Sequence, residues 1–423
     1  MRLPVDPPDW PQLRQRLADA IGASATGHRD DRLHPGDIAQ FRTGGLNIAH
    51  GAAGVLWALA EVGAEPPAEH VQWLTRRAAD PPSGSRYGFY DGLHGIAFAL
   101  DRLGHRDTAL RVVDICLAEP WQQLGTDLRG GLSGIALNLL DLAGRSGDAG
   151  LREAGWQAVQ LVADRLDAAQ DTDPGDEAPH SGGRQPYAGL IRGRSGPALL
   201  FLRAYELTGE PELLDRAVAA LRWDLRRCMI RSDGAMEVNE GWRSMPYLAD
   251  GSVGIGLVLD QVLRHRPADD LVAASAAVRL AARAPFYAQS GLFAGRAGII
   301  AYLAARQQPY AATGATHDQP QPYAATGHDG GGATDDRQEC AVQLRRLAWH
   351  AMPYRDTIAF PGEQLLRLSM DLATGTAGVL LAAGTALRDD QPVTLPFLAP
   401  LAGAPRSPSP QRGPAEPRHQ ERR

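Results

Sequence analysis

Most side chains able to do chemistry in this 423-residue chain sit on or beside one recurring step, Gly-x-x-Gly. His94 lies inside the second occurrence, Asp91-Gly92-Leu93-His94-Gly95. An imidazole placed there suits a general base for a thiol; the competing reading is a loop histidine satisfied by its neighbours. Arg192 and Arg194 flank the first glycine of the fourth step, Arg296 lies within the sixth, and Arg243 precedes the fifth. With Tyr247 and Asp250 they form the candidate substrate-binding set. Helix N-termini and guanidinium groups around one mouth would favour an anion there, a thiolate or a carboxylate. Alternatively, the arginines pair with Asp91, Asp127, Asp250 and Glu240, and Tyr247 and Trp242 are core or rim aromatics. His50 reads as structural. Cys116, Cys228 and Cys340 are spaced like buried small residues and carry no expected catalytic role.

Absences narrow the chemistry. All 43 basic residues are arginine, so no lysine serves a P-loop, a kinase strand or a Schiff base. His28-Arg29-Asp30 and His105-Arg106-Asp107 resemble a kinase catalytic loop, but neither has asparagine five residues past its aspartate. The net charge of -6 argues against nucleic acid as a partner. No apolar run is long enough for a membrane span, and the first ten residues lack the apolar stretch of a secretory signal. The cysteines form no CxxC or CxH pair, so neither a disulfide framework nor a local zinc motif is expected, and a reducing cytoplasm is the expected location.

The elements that must position these groups are set by the repeats. The first glycines fall at Gly51, Gly92, Gly131, Gly193, Gly251, Gly295 and Gly375, each opening an apolar run. Between them lie amphipathic stretches, such as Leu151, Ala154, Ala158, Leu161, Val162 and Leu166 at helical spacing. Each repeat therefore predicts an inner apolar helix and an outer amphipathic one. The expected fold is all-α: an α/α toroid, a double ring of seven helical hairpins with GxxG loops. Glycine would permit left-handed turns and close backbone approach where the inner helices crowd. The expected organisation is a lead-in over 1–45 with one short helix carrying Trp10, Leu13, Leu17 and Ile21. The toroid spans 46–388, with a low-complexity insertion at 309–337 that holds His317 and His328. A disordered tail follows at 389–423.

These motifs resemble the lanthionine synthetase C-like family. Arg32-Leu-His-Pro-Gly-Asp-Ile-Ala-Gln-Phe41, Tyr90–Gly95, Glu240–Gly251 and Gly291–Gly298 are similar to the C-terminal cyclase domain of class III lanthipeptide synthetases. The resemblance spans about Asp37 to Leu387. It implies addition of a peptide cysteine thiol, or an enolate, to dehydroalanine or dehydrobutyrine, giving lanthionine or labionin rings. It implies a ribosomal precursor peptide, with a leader and a Ser/Thr/Cys core, as partner. The kinase and lyase parts of such synthetases are missing here, so the chain reads as a fragment, a split subunit partnered by a separate kinase–lyase protein, or a stand-alone relative.

The zinc-dependent members carry cysteine two residues before the fifth first glycine and Cys-His before the sixth. Here those positions are Ala249, Phe293 and Ala294. None ligates zinc, so no metal and no cofactor is expected. The family acid four residues before the third first glycine is Asp127, which joins His94 as a candidate catalytic residue. The family histidine before the fourth first glycine is Arg192, and the aromatic before the fifth is Asp250. A non-catalytic peptide-binding scaffold is the alternative. An unrelated toroid enzyme, a glycosidase or terpene-type cyclase, would need a carboxylate pair or a DDxxD cluster; no DDxxD occurs.

Overall fold

The computed structural model describes residues 9–169, 188–307, 332–388 and 393–404, and these are mostly helical. In chain order the helices are α1 Trp10–Ala23, α2 Ala52–Glu61, α3 Ala68–Ala79, α4 Leu93–Arg102, α5 Arg106–Leu117, α6 Leu132–Ser146, α7 Ala149–Ala168, α8 Ser195–Thr208, α9 Pro211–Leu225, α10 Ser252–His265, α11 Asp269–Ala281, α12 Arg296–Ala305, α13 Gly332–Arg346 and α14 Thr376–Leu387. From α2 onward the even-numbered members open at the GxxG steps. They are apolar nearly all round; α2 buries every residue from Ala52 to Leu59. The odd-numbered members are amphipathic. For example, α7 buries Leu151, Ala158, Val162 and Leu166, and Asp148 accepts the Leu151 N–H at its start, 2.9 Å.

Contacts run in a closed circuit. α2 touches α4, then α6, α8, α10, α12 and α14 follow in turn, and α14 touches α2. Each also packs on an outer helix: α2 on α3, α4 on α5, and so on to α12 on α13, with α1 serving α14. Closure leaves no exposed inner end to protect.

A belt of backbone hydrogen bonds fastens the circuit. Each residue two before a first glycine donates its N–H to the carbonyl of its counterpart in the next repeat. The bonds run Ala49 to Tyr90 (3.1 Å), Tyr90 to Arg129 (2.8), Arg129 to Ile191 (3.0), Ile191 to Ala249 (2.9), Ala249 to Phe293 (2.9), Phe293 to Ala373 (2.9) and Ala373 back to Ala49 (2.9).

The glycines serve this closeness alone. No motif glycine has positive φ, contrary to the expected left-handed turns. Instead, a Cβ on Gly54 would lie 1.8 Å from the Ile48 carbonyl oxygen, and one on Gly95 1.9 Å from that of Phe89.

Two small antiparallel sheets depart from the all-α expectation. β1 Cys228–Ile230, β2 Met236–Asn239 and β3 Ser244–Met245 lie between α9 and α10. β4 Met352–Tyr354, β5 Thr357–Pro361 and β6 Leu368–Ser369 lie between α13 and α14. Asp233-Gly234, with Gly234 at φ +83°, makes the first hairpin turn.

Two boundaries also shift. α13 begins at Gly332, inside the segment expected to be a loop to 337; 309–331 lies outside the described residues. Asp335 pairs with Arg279 and Arg283, and Asp336 with Arg279 and Arg306, which ties the helix start to α11 and to the end of α12. Of the expected disordered tail, 393–404 is packed: Val393, Leu395, Phe397, Leu398 and Leu401 are buried. Phe397 meets Phe89 and Phe98, while Arg203 of α8 donates to the Phe397 and Leu398 carbonyls, both within 2.8 Å. Ala402 N–H reaches Asp141 of α6. The segment therefore stoppers the circuit at the C-terminal ends of the inner helices.

Candidate functional site

The belt defines the other end, where all the inner helices begin. Across it, Tyr90 and Phe293 of non-adjacent repeats meet edge to face, centroids 5.2 Å apart, and fill the centre. The N-termini are not open donors. Loop carbonyls seven residues back accept from Ala52, Leu93, Leu132, Val253, Arg296 and Ala377. In the fourth repeat, buried Asp224 of α9 accepts from the Ser195 N–H and hydroxyl and from the Gly189 and Arg194 N–H groups. The expected helix-end anion attraction is thus largely spent on backbone caps.

The site's charge comes from two further tiers. The residues just before the first glycines include His50, Asp91, Arg192 and Asp250. Four before the first glycine stand Asn47, Asp127 and Asp371, each accepting the N–H three residues on: His50 at 2.8 Å, Gly130 at 2.9 Å and Thr374 at 2.7 Å. The expected capping alternative for Asp127 is therefore present in the geometry.

Asp127 is also chemically set apart. Burial pushes its carboxyl above the ordinary range, the Gly130 N–H opposes that, and the charge of Asp91 adds to it. Both carboxyls flank Gly130, since a Cβ there would lie 3.1 Å from either Asp91 oxygen. Asp91 accepts from Arg86 at 2.8 Å through Oδ2, while its buried Oδ1 has no partner among the described residues.

The other sequence candidates separate. His94 does not reach the mouth: it is 0% exposed, with Nδ1 3.1 Å from the Asn138 amide. Burial pulls its imidazole down to about 3, a poor base for a thiol. Arg296 is likewise 0% exposed and turned outward; it donates to Gln343 of α13 and lies 5.2 Å from the Tyr287 ring. Burial pulls it down to about 10. Arg194 turns outward as well, 4.1 Å over Trp223 of α9. Neither faces the mouth as expected: Arg194 lies over Trp223 of the outer α9, and Arg296 reaches Gln343 of the outer α13. Arg192 is paired with Asp250, its Nε 3.0 Å from both carboxylate oxygens. Arg243 pairs with Glu240 at 2.6 Å and covers exposed Trp242. Tyr247 is half-buried, 6.2 Å from Tyr287, and burial raises its hydroxyl.

Sequence reasoning missed one pair. His50 Nδ1 lies 3.4 Å from Asp371 Oδ2, joining the first repeat to the last. Only the recurring Asx position before the first glycine hinted at Asp371.

Zinc does not fit the positions the resemblance singles out. Ala249 and Phe293 are belt residues and Ala294 adjoins them, and none offers a ligating atom. Among the described residues no group of three or more His, Cys, Asp or Glu is placed to hold a metal. The thiols of Cys116, Cys228 and Cys340 are free, and burial pushes each up to about 12. Among the described residues no helix is long and apolar enough to cross a membrane.

No family model matches the chain. A probable SapB synthase of Streptomyces coelicolor (strain ATCC BAA-471 / A3(2) / M145) is 48% identical over 399 residues, 94% of this chain and 40% of that protein. The chain spans about two fifths of the length of that relative. An inactive variant of the α-1,6-mannanase GH76A of Salegentibacter sp. HEL1_6, in complex with α-1,6-mannotriose, superposes at a TM-score of 0.45 with 10% identity, covering 90% of this chain and 100% of that one. The Lin0763 protein of Listeria innocua gives 0.44 and 11%, covering 89% and 96%. Likenesses of that depth say nothing of activity. The similarity to the synthase, carried along nearly the whole chain, supports the lanthipeptide-synthetase-type family that the motifs resemble.

Proposed function

We propose that this chain is a zinc-free cyclase module of class III lanthipeptide biosynthesis, with the closed helix circuit forming a double toroid of seven hairpins. Its substrate is a ribosomal precursor peptide, dehydrated beforehand by kinase and lyase activities in a reducing cytoplasm. The cysteine sulfur bonds to Cβ of dehydroalanine or dehydrobutyrine, the double-bond pair moves to Cα, and Cα takes a proton. In labionin formation that Cα enolate instead attacks a second dehydro residue.

The observation that carries this reading is the acid–base tier at the belt, where burial raises the Asp127 carboxyl above its ordinary range while the zinc positions of the resemblance hold Ala249, Phe293 and Ala294. Asp127 is the proton donor to Cα. Arg192, Arg243, Tyr247 and Asp250 line the rim where peptide passes. His94, Arg194 and Arg296 hold the wall behind it.

The test mixes the purified chain with a dehydrated precursor containing a free cysteine, with and without chelator. Mass spectrometry after thiol alkylation counts the rings. Ring closure faster than the uncatalysed background and indifferent to chelator is expected. Binding of the precursor without acceleration would make the chain a scaffold instead.

A further inference from the structure

The Arg32–Phe41 motif and His50 have no part in the chemistry so far, yet they meet at one place. Asp371 is 1% exposed at its side chain and is held by five donors: the N–H groups of Asp37, Thr374 and Gly375, the Thr374 hydroxyl, and His50. The Asp37 bond is 2.8 Å. It requires the Pro35–Asp37 segment to lie close: a Cβ on Gly36 would come within 2.8 Å of the His50 carbonyl oxygen and 3.2 Å of Asp371 Oδ2. Met370 N–H completes the clasp on the Pro35 carbonyl, 2.8 Å.

His50 is the imidazole of the tier just before the first glycines. Its Nδ1 faces Asp371, its side chain stays 14% exposed, and its Nε2 has no partner among the described residues. Beside the clasp lies a cavity of about 190 Å³ bounded by Gly36, Asp37 and Ser369, with exposed Ile38 and Leu366 as apolar walls.

We propose that His50 is the base that deprotonates the attacking cysteine, and that Asp371 is its positioning residue. This inference rests on the cyclase reading above. The thiol S–H bond breaks and an N–H bond forms at Nε2; the thiolate then bonds to Cβ. Asp127 gives its proton to Cα. The imidazolium returns its proton through solvent to the Asp127 carboxylate, so the net change is S–H added across the double bond. A buried carboxylate on Nδ1 fixes the tautomer that leaves Nε2 able to accept, and stabilises the imidazolium that forms.

Five influences bear on that imidazole. Burial lowers its proton affinity, the bond and charge of Asp371 raise it, Asp37 raises it further, and Arg129 opposes. The balance lies above the ordinary histidine value.

Ring closure on the dehydrated precursor is followed against pH for the full chain, His50→Gln, His50→Ala and Asp371→Asn. The wild-type rate should rise with pH through the His50 titration. His50→Gln should lose about a hundredfold or more at fixed pH, and added imidazole should restore part of the His50→Ala rate. Asp371→Asn should move the acid limb about one unit or more to lower pH, because it removes the charge that holds the proton. Thermal melts identify any variant that fails to fold. A wild-type chain that accelerates nothing overturns the cyclase reading itself. A wild-type chain that accelerates, with folded His50→Gln at full rate or an acid limb unmoved in Asp371→Asn, overturns this inference alone.

Discussion

Asp127 accepts the Gly130 N–H and holds its proton above the ordinary carboxylate range. A cap needs only an oxygen; a proton donor needs an ionisable one. Asp127→Asn keeps an acceptor and loses the titration, so the variant should fold and melt as a single species while ring closure falls about a hundredfold. Full activity would reduce Asp127 to a cap. Stability gives an independent readout. A carboxyl whose folded value is raised binds more protons folded than unfolded, so folding weakens as pH climbs from the ordinary carboxylate value through the raised one. Asp127→Asn removes that loss. Its stability relative to wild type should therefore improve across that window and level off above it, as urea titrations at several pH values would show.

At the scale of elements, the GxxG step reports backbone proximity. A Cβ on Gly95 would meet the Phe89 carbonyl oxygen at 1.9 Å and Ile48 Cγ2 at 2.8 Å, one of them main chain with little room to move. Gly95→Ala should cost about 1–3 kcal/mol or more. Gly22 of α1 has nothing within 4 Å of the same atom, so Gly22→Ala should be neutral or stabilising by up to about 1 kcal/mol. Equal melting temperatures for the two variants would refute the packing account.

The same regularity explains what could be read from sequence. Recurring glycines marked the start of every inner helix, because each start meets the same steric demand. Apolar periodicity separated inner from outer helices. The direction of each side chain leaving those starts was not legible. Arg194 and Arg296 follow a first glycine directly and turn outward, whereas Arg192, just before one, reaches Asp250 in the next repeat. The His50–Asp371 pair was hidden because 321 residues separate its members and only ring closure joins them. The short strands were missed because helical patterning dominates the chain, and Asp233-Gly234 was the sole strong turn cue for the first hairpin.

At the scale of the whole molecule, closure is made twice: by the belt at the mouth and by residues 393–404 at the far end. Removing the chain from Val393 onward would uncover Phe89 and Phe98 and deprive the buried Arg203 guanidinium of two carbonyl acceptors. Several buried apolar side chains at about 1.5–3 kcal/mol each set an upper bound on the loss, so a large drop in melting temperature and new binding of a hydrophobic dye are expected. An unchanged melt would show that the stopper is dispensable.

The belt also imposes a timetable. Its closing bond, from Ala373 to Ala49, and the outer support that α1 gives α14 both join segments more than 300 residues apart in the chain. While the ribosome is still translating, five or six greasy helices must wait without their final neighbours. Only when the last turn of the circle emerges can the first and last repeats meet and the circle lock.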